Sequence, residues 1–157
     1  LVNQLQRHEV KRLYQALVYG EIISGREIDE PIARSRRFRT KMAVVSGGKP
    51  ARTQVRVNQR FTHFTLLDVS LHTGRTHQIR VHCTYHGMPL VGDQTYKQGV
   101  RMPKGLSDKK REAIGAFKRQ ALHACELNLL HPQSGKMMSW KAVVPDDMQH
   151  LLSVLQD

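Results

Sequence analysis

The sequence predicts an α+β domain with a mainly antiparallel, curved sheet flanked by a few helices, and three observations carry that prediction. Side chains alternate with a period of two along Lys11 to Tyr19, while Thr53 to Val57 and Thr62 to Leu71 read as a strand pair, and Ala121 to Leu130 and Lys136 to Val144 read as strands. Turn punctuation separates these runs, at Ser24-Gly25, at Gly47-Gly48 with Pro50, and at His131-Pro132-Gln133-Ser134-Gly135, where two runs are joined as a hairpin. Near the C-terminus the period lengthens, with Met148, Leu151, Leu152 and Leu155 at i, i+3, i+4 and i+7, a core-facing helical stripe.

Taken in order, Leu1, Val2, Leu5 and Val10 read as the tail of an amphipathic helix with no initiator Met and no cap before it, so the chain is expected to begin inside an element. Lys11 to Tyr19 is a strand expected to be largely buried on both faces, and Gly20 ends it. Residues 21–52 hold short β segments such as Lys41 to Val45 and the basic run Arg34, Arg36, Arg37, Arg39 and Lys41. Thr53 to Val57 and Thr62 to Leu71 form a strand pair with Val55, Val57, Leu67, Val69 and Leu71 inward, and an irregularity is expected near Leu66-Leu67, where the parity shifts. Gly74 then suits the positive φ of a tight turn, Thr73 or Thr76 suits the cap of a helix, Ile79, Val81 and Cys83 give that helix an apolar side, and Gly87 ends it. Asp93 to Gly105 reads as a long surface loop carrying Lys97, Arg101 and Lys104. Ser107 caps a short helix to about Lys118, with Asp108 at its positive end and Ile114 and Phe117 as buried anchors. The hairpin follows, and Pro145 opens the last helix. No internal repeat is evident, and residues 1–157 read as one domain.

Composition narrows the partner. Twenty-five Lys and Arg against thirteen Asp and Glu give a formal charge of +12 and a pI near 10.2, well beyond what solubility needs, so a polyanion is expected. Nucleic acid is favoured over a membrane, because the cations are spread over strands and loops rather than along one amphipathic helix. No apolar run approaches the roughly 20 residues of a spanning helix. Cys83 and Cys125 make neither a disulfide framework nor a CxxC unit, and both are expected to be buried thiols.

The segment from Leu71 to Tyr96, LHTGRTHQIRVHCTYHGMPLVGDQTY, carries the chemistry. Arg75, His77, Gln78 and Arg80 are expected to project from one rigid element, offering guanidinium forks to phosphate or carboxylate and an amide able to read a base edge. His82 and His86 stand i, i+4 as zinc ligands can, but the glutamate of HExxH is absent and spacing specifies no third ligand, so no metal is expected. Asp93 follows a glycine at a turn and reads as structural.

At Gly74-Arg75-Thr76-His77-Gln78-Ile79-Arg80 the chain resembles the RluA-type pseudouridine synthases, which carry a GR[TS]HQ[IL]R segment. The resemblance extends to Asp29-Glu30-Pro31-Ile32, Gly48-Lys49-Pro50-Ala51-x-Thr53, Pro89-Leu90-Val91-Gly92-Asp93, Leu122-His123-Ala124 and His131-Pro132, and it is nearest the branch acting on large-subunit ribosomal RNA. It implies two antiparallel sheet halves flanking a cleft for the target nucleotide, isomerisation of uridine to pseudouridine, no cofactor and no metal. The family's HRLDxxTSG segment, which holds the catalytic Asp, is missing. By the family's order it lies N-terminal to residue 1, so the chain is expected to be the C-terminal part of a catalytic domain, inactive alone, and no nucleophile is assigned within it.

The resemblance further implies that Tyr14, in the basic-x-Tyr context of Arg12-Leu13-Tyr14, stacks on the displaced uracil. Arg80 pairs with the catalytic Asp and keeps it ionised, and without that partner water, an anion or another acid such as Asp93 occupies it. Ile79 packs against base or sugar, and Arg75, Thr76, His77 and Gln78 contact substrate. Arg34, Arg36, Arg37, Arg39, Lys97, Arg101 and Lys104 are candidates for RNA backbone contacts, which orient RNA without reading its sequence. The expected partner is ribosomal RNA or a pre-ribosomal particle, the expected compartment the cytoplasm, and an open edge where strands are missing is expected to favour pairing between copies. The alternative is a basic RNA-binding or ribosome-associated domain without catalysis.

Overall fold

A computed structural model describes residues 3–4, 9–97 and 99–157 of the protein. The expected N-terminal helix residues Leu1, Val2 and Leu5 lie outside the described residues, while Val10 is buried. In chain order the elements are β1 (Lys11–Tyr19), β2 (Arg26–Asp29), β3 (Ile32–Arg34), β4 (Met42–Val44), β5 (Arg52–Phe61), β6 (Phe64–Leu71), α1 (Gln78–Tyr85), α2 (Asp108–Ala116), β7 (Leu122–Leu130), β8 (Met137–Lys141) and α3 (Asp146–Gln156). Six strands form one sheet in the order β2-β5-β6-β1-β7-β8, and β3 pairs with β4 in a separate hairpin. Every pairing is antiparallel, as the α+β expectation required. Among the described residues, no helix is long and apolar enough to cross a membrane.

The sheet is covered on both faces, which explains where its apolar residues fall. Ala16 and Val18 of β1 point to one side, where they meet Val55, Leu67, Val69 and the α1 residues Ile79 and Cys83. Leu17 points to the other, where Phe61, Phe64 and Leu66 meet Ile114 from α2, Phe117 just beyond it, and Met148, Leu151 and Leu155 from α3. The expected two-sided burial of β1 holds for Ala16, Leu17 and Val18 and fades toward Lys11, beyond the helices.

Two sequence expectations about backbone irregularity need correction. Leu66 and Leu67 are both buried because each faces a different core. The register slips opposite them, between Val57 and Gln59, so the extra residue is Asn58 on β5, whose amide Nδ2 donates to both Asp68 carboxylate oxygens at 2.9 and 3.0 Å. Gly74 does not take a positive φ. A Cβ there would stand 2.5 Å from Arg12 Nη1, so a side chain at this position would displace that guanidinium. The left-handed residue of this turn is His77, at φ 56°.

Cys83 is buried, with its thiol pushed up to about 12 by burial. Cys125 is only half-buried, correcting the expectation for it. It falls where β7 slips register against Leu13 and Tyr14.

Candidate active site and nucleic-acid face

The turn between β6 and α1 is built by a side chain rather than by a cap. His77, in the N-cap position, makes no side-chain cap bond, and neither Thr73 nor Thr76 caps the helix, against expectation. Gln78 does the work instead. Its Oε1 accepts from the Arg75 backbone N–H at 2.9 Å and from Thr73 Oγ1 at 2.8 Å. Its Nε2 donates to Arg52 O at 3.0 Å and Thr53 Oγ1 at 2.9 Å. All four of its hydrogen-bonding positions are thereby used.

The chain of bonds continues into the helix. Thr53 Oγ1, already accepting from Gln78, stands 2.9 Å from His82 Nδ1, and His82 Nε2 stands 2.9 Å from the carbonyl oxygen of Glu30. A carbonyl only accepts, so Nε2 carries the proton and Nδ1 accepts from the Thr53 hydroxyl. His82 is fully buried, and burial holds its pKa below the ordinary histidine value against the opposing pull of the Glu30 carbonyl. Both ring nitrogens are occupied, so His82 offers none to a metal.

Arg80, one residue beyond Ile79, turns to the loop after α1. Its Nε donates to Asp93 Oδ2 at 2.7 Å and its Nη2 to Oδ1 at 2.9 Å, a bidentate fork between side chains 11% and 1% exposed. Asp93 Oδ1 also accepts from the backbone N–H groups of Thr95 and Tyr96. Burial alone pushes this carboxyl up, but the Arg80 bonds and the two amides outweigh it and hold it below the usual carboxylate range. The same loop sets Tyr96, whose ring lies 4.8 Å from the Arg80 guanidinium carbon. Tyr96 Oη accepts from Met42 N–H at 3.0 Å and stands 2.8 Å from His77 Nδ1. Either tautomer of the neutral imidazole meets this contact, Nδ1 accepting the phenol proton or donating to the phenol oxygen. Burial and the Arg80 charge both lower the His77 pKa and favour that neutral form.

The sequence-predicted residues thus separate into three groups. Gln78 and Ile79 are interior: the former is 2% exposed with its amide fully used, correcting the expectation that it reads a base edge, and the latter packs in the core beside Val55 and Val69. Arg75, Thr76 and His77 line a cavity of about 540 Å³ against the β3–β4 hairpin, together with Arg34 and Lys49. Tyr14 is half-buried at the edge of the α1 core and lines a second cavity of about 570 Å³ with Arg12, Arg56, Asp68 and His72, a cavity whose wall does not include Arg80. Among the described residues, Arg34, Arg36, Arg37, Arg39, Lys97, Arg101 and Lys104 form no ion pair. Arg34, Arg36, Arg37 and Arg39 lie exposed on the hairpin, where Arg37 stacks on the half-exposed Phe38.

Sequence reading did not single out Thr53, His82 or Tyr96 for these roles. Thr53 and Asp93 sat inside quoted motifs, and the spacing Asp93-x-x-Tyr96 is the one signal that could have tied the loop to the helix.

Comparison with known proteins follows the same residues. The family model described as RNA pseudouridylate synthase matches residues 1–85. The chain is 46% identical over 156 residues to the ribosomal large subunit pseudouridine synthase D of Haemophilus influenzae, covering 99% of this chain and 48% of that protein. It is 47% identical to the Escherichia coli K12 protein of the same name, again over 99% of this chain and 48% of the relative. The chain therefore spans about half the length of these curated relatives. The solved structure of human RNA pseudouridylate synthase domain containing 4 superposes with a TM-score of 0.76 at 24% identity, covering 99% of this chain and 66% of that one, a likeness of fold.

Proposed function

The chain belongs to the RNA pseudouridylate synthase family, and from that membership we propose that it forms part of an enzyme isomerising uridine to pseudouridine in large-subunit ribosomal RNA. The observation that carries this reading is the family match across residues 1–85, which contains both Tyr14 and the segment ending in Arg80. In the reaction the N1–C1′ bond breaks, the uracil turns while held, and a C5–C1′ bond forms as the C5 proton leaves and N1 gains one. Nothing is oxidised or reduced, and no cofactor is called for.

The target base must first leave its stack, which costs on the order of a few kcal/mol and is offset by a pocket that stacks the base and binds its edges. Tyr14 supplies the stacking face and assists loss of the C5 proton. Arg80 holds the nucleophilic carboxylate ionised. Its Nε–Nη2 edge is engaged by Asp93, so a second carboxylate would pair with its remaining guanidinium N–H groups. Arg75, Thr76 and His77 contact the flipped nucleotide or its phosphate. Arg34, Arg36, Arg37, Arg39, Lys97, Arg101 and Lys104 bind backbone phosphates, which their lack of acidic partners among the described residues supports. The substrate is free ribosomal RNA or a pre-ribosomal particle in the cytoplasm.

No Asp of this sequence stands in an HRLDxxTSG segment, so the chain alone binds RNA without turning it over. Ribosomal RNA labelled with tritium at uridine C5 tests both statements. Tritium release is expected from a form extended to include that segment and not from the 157 residues alone. Release from neither, with RNA still bound, would leave the non-catalytic RNA-binding reading. Release from the short chain would overturn the assignment of the nucleophile.

A further inference from the structure

Beyond the helices the sheet carries a row of side chains that the described residues cover only in part. Arg12 on β1 stands opposite Leu127 on β7, and Leu127 stands opposite Trp140 on β8. Alternation along β1 puts this row on the same face as Tyr14, which stands opposite Ala124 one repeat further on. A cavity of about 280 Å³ opens there, lined by Arg12, Tyr14, Ala124, Leu127 and Trp140 among others. Trp140 is 48% exposed and Leu127 37%. Arg12 Nε is buried without a hydrogen-bond partner among the described residues, and its guanidinium lies against Gly74. An unpartnered polar atom out of water is costly, so a site that keeps one has a use for it.

We propose that this row is a nucleobase subsite: a base of single-stranded RNA flanking the target uridine stacks on Trp140, and Arg12 engages the phosphate that links it to the nucleotide at Tyr14. The proposal rests on the synthase reading and extends it to a neighbouring nucleotide. Two strand spacings and one repeat separate Trp140 from Tyr14 by roughly 12 Å between backbones, too far for one base to touch both rings. An indole next to a guanidinium on a strongly basic chain has the chemistry of a single-strand stacking platform. The chief competitor for this patch is a second copy of the chain pairing along β8. Lys141, 77% exposed on that edge strand and flanked by Lys136 at its other end, disfavours such pairing.

Trp140 is the chain's single tryptophan, so its fluorescence reports this site alone. Titration with a short uridine-rich single-stranded RNA is expected to quench it, and heparin at equal occupancy is expected to leave it largely unchanged. Replacing one flanking nucleotide of the RNA by an abasic residue should remove most of the quench. Trp140→Leu should weaken RNA binding roughly 5- to 100-fold by fluorescence anisotropy, and Trp140→Phe should recover most of that affinity. Equal quenching by heparin, or an unchanged Kd in Trp140→Leu, would overturn the subsite while tritium release still upheld the synthase reading. Quenching that rises with protein concentration in the absence of RNA would overturn it in favour of a second copy.

Discussion

On one face of the six-stranded sheet, Ile114, Phe117, Met148, Leu151 and Leu155 settle onto Leu17, Phe61, Phe64 and Leu66 with no charged side chain among them. On the other, α1 brings Gln78, Arg80 and His82 into the interior alongside Ile79 and Cys83. The first face gains stability from apolar area at roughly 25 cal/mol per Å². The second must satisfy the donors and acceptors it removes from water, and for Gln78, Arg80 and His82 it does so through the links from Arg75 by way of Gln78, Thr53 and His82 to Glu30, and through the Arg80–Asp93 fork. Such a network fixes the orientation of each member in a way that interchangeable apolar side chains do not. Tyr14 and the segment that ends in Arg80, proposed to act on the target nucleotide, belong to the second face, while Arg101 and Lys104 flank Met102, which packs against the first. The difference teaches that this sheet separates the part that holds the domain together from the part that holds groups in place.

The sharpest way to break that comparison is to leave a buried charge alone. Asp93→Ala strands the Arg80 guanidinium and is expected to cost about 3–5 kcal/mol in urea unfolding. Replacing both partners, as Arg80→Met with Asp93→Leu, should recover most of the loss. A double variant no more stable than Asp93→Ala would mean that packing, not charge, dominates there. On the apolar face Leu151→Ala is expected to cost about 2–4 kcal/mol by creating a cavity, with no dependence on pH or salt.

These expectations rely on contacts that the sequence revealed unevenly. Strand β1 was legible to its ends because Gly20 stops it and its alternation is regular. The parity break at Leu66-Leu67 was legible as an irregularity, but a buried pair of neighbours arises equally from a bulge and from a strand covered on both faces, and here the covering accounts for the pair while the bulge sits across on β5. In α1 every residue from Gln78 to Cys83 is buried, so its polar residues carry no trace of a solvent face and the helix looked half-exposed from its letters. That is why Gln78 read as a base reader. The Arg80–Asp93 pair was foreseen only as one occupant among several, since thirteen residues of sequence separate a fork from its carboxylate and spacing alone does not align them.

Smaller effects sharpen the account of the polar face. Gln78→Leu removes four bonds at once and leaves the Arg75 N–H and the Arg52 carbonyl without this partner, for an expected loss of about 1–3 kcal/mol. His82 adds a pH signature. Its folded pKa lies below the ordinary 6.5, so between the two values the unfolded chain binds more protons and stability falls as pH falls. The contribution is complete above about pH 6.5 and is lost progressively below it. Urea midpoints measured from pH 7.5 to 5 should show this slope, and His82→Gln should flatten it. The depressed Asp93 carboxyl acts in the same direction but at lower pH, its contribution present above the unfolded value near 3.8 and lost as pH falls through the folded one.

The smallest expected change in stability belongs to the hairpin cations, and it comes with a change in binding that no residue of either core should produce. Arg36 and Arg37 are exposed and form no ion pair among the described residues, so replacing both with Gln should move stability by no more than about 0.5 kcal/mol. If each touches a phosphate, the double variant should lower the slope of log Kd against log salt for single-stranded RNA by about 1.4, since each contact contributes roughly 0.7. The measurement is a series of Kd values between 50 and 200 mM salt, compared with the same series for Leu151→Ala at a temperature where that variant remains folded. An unchanged slope for the arginine variant would move the RNA path off the hairpin and toward the row that ends at Trp140. A changed slope for Leu151→Ala would show that the apolar face shapes the RNA site after all, and the separation of roles between the two faces would fail.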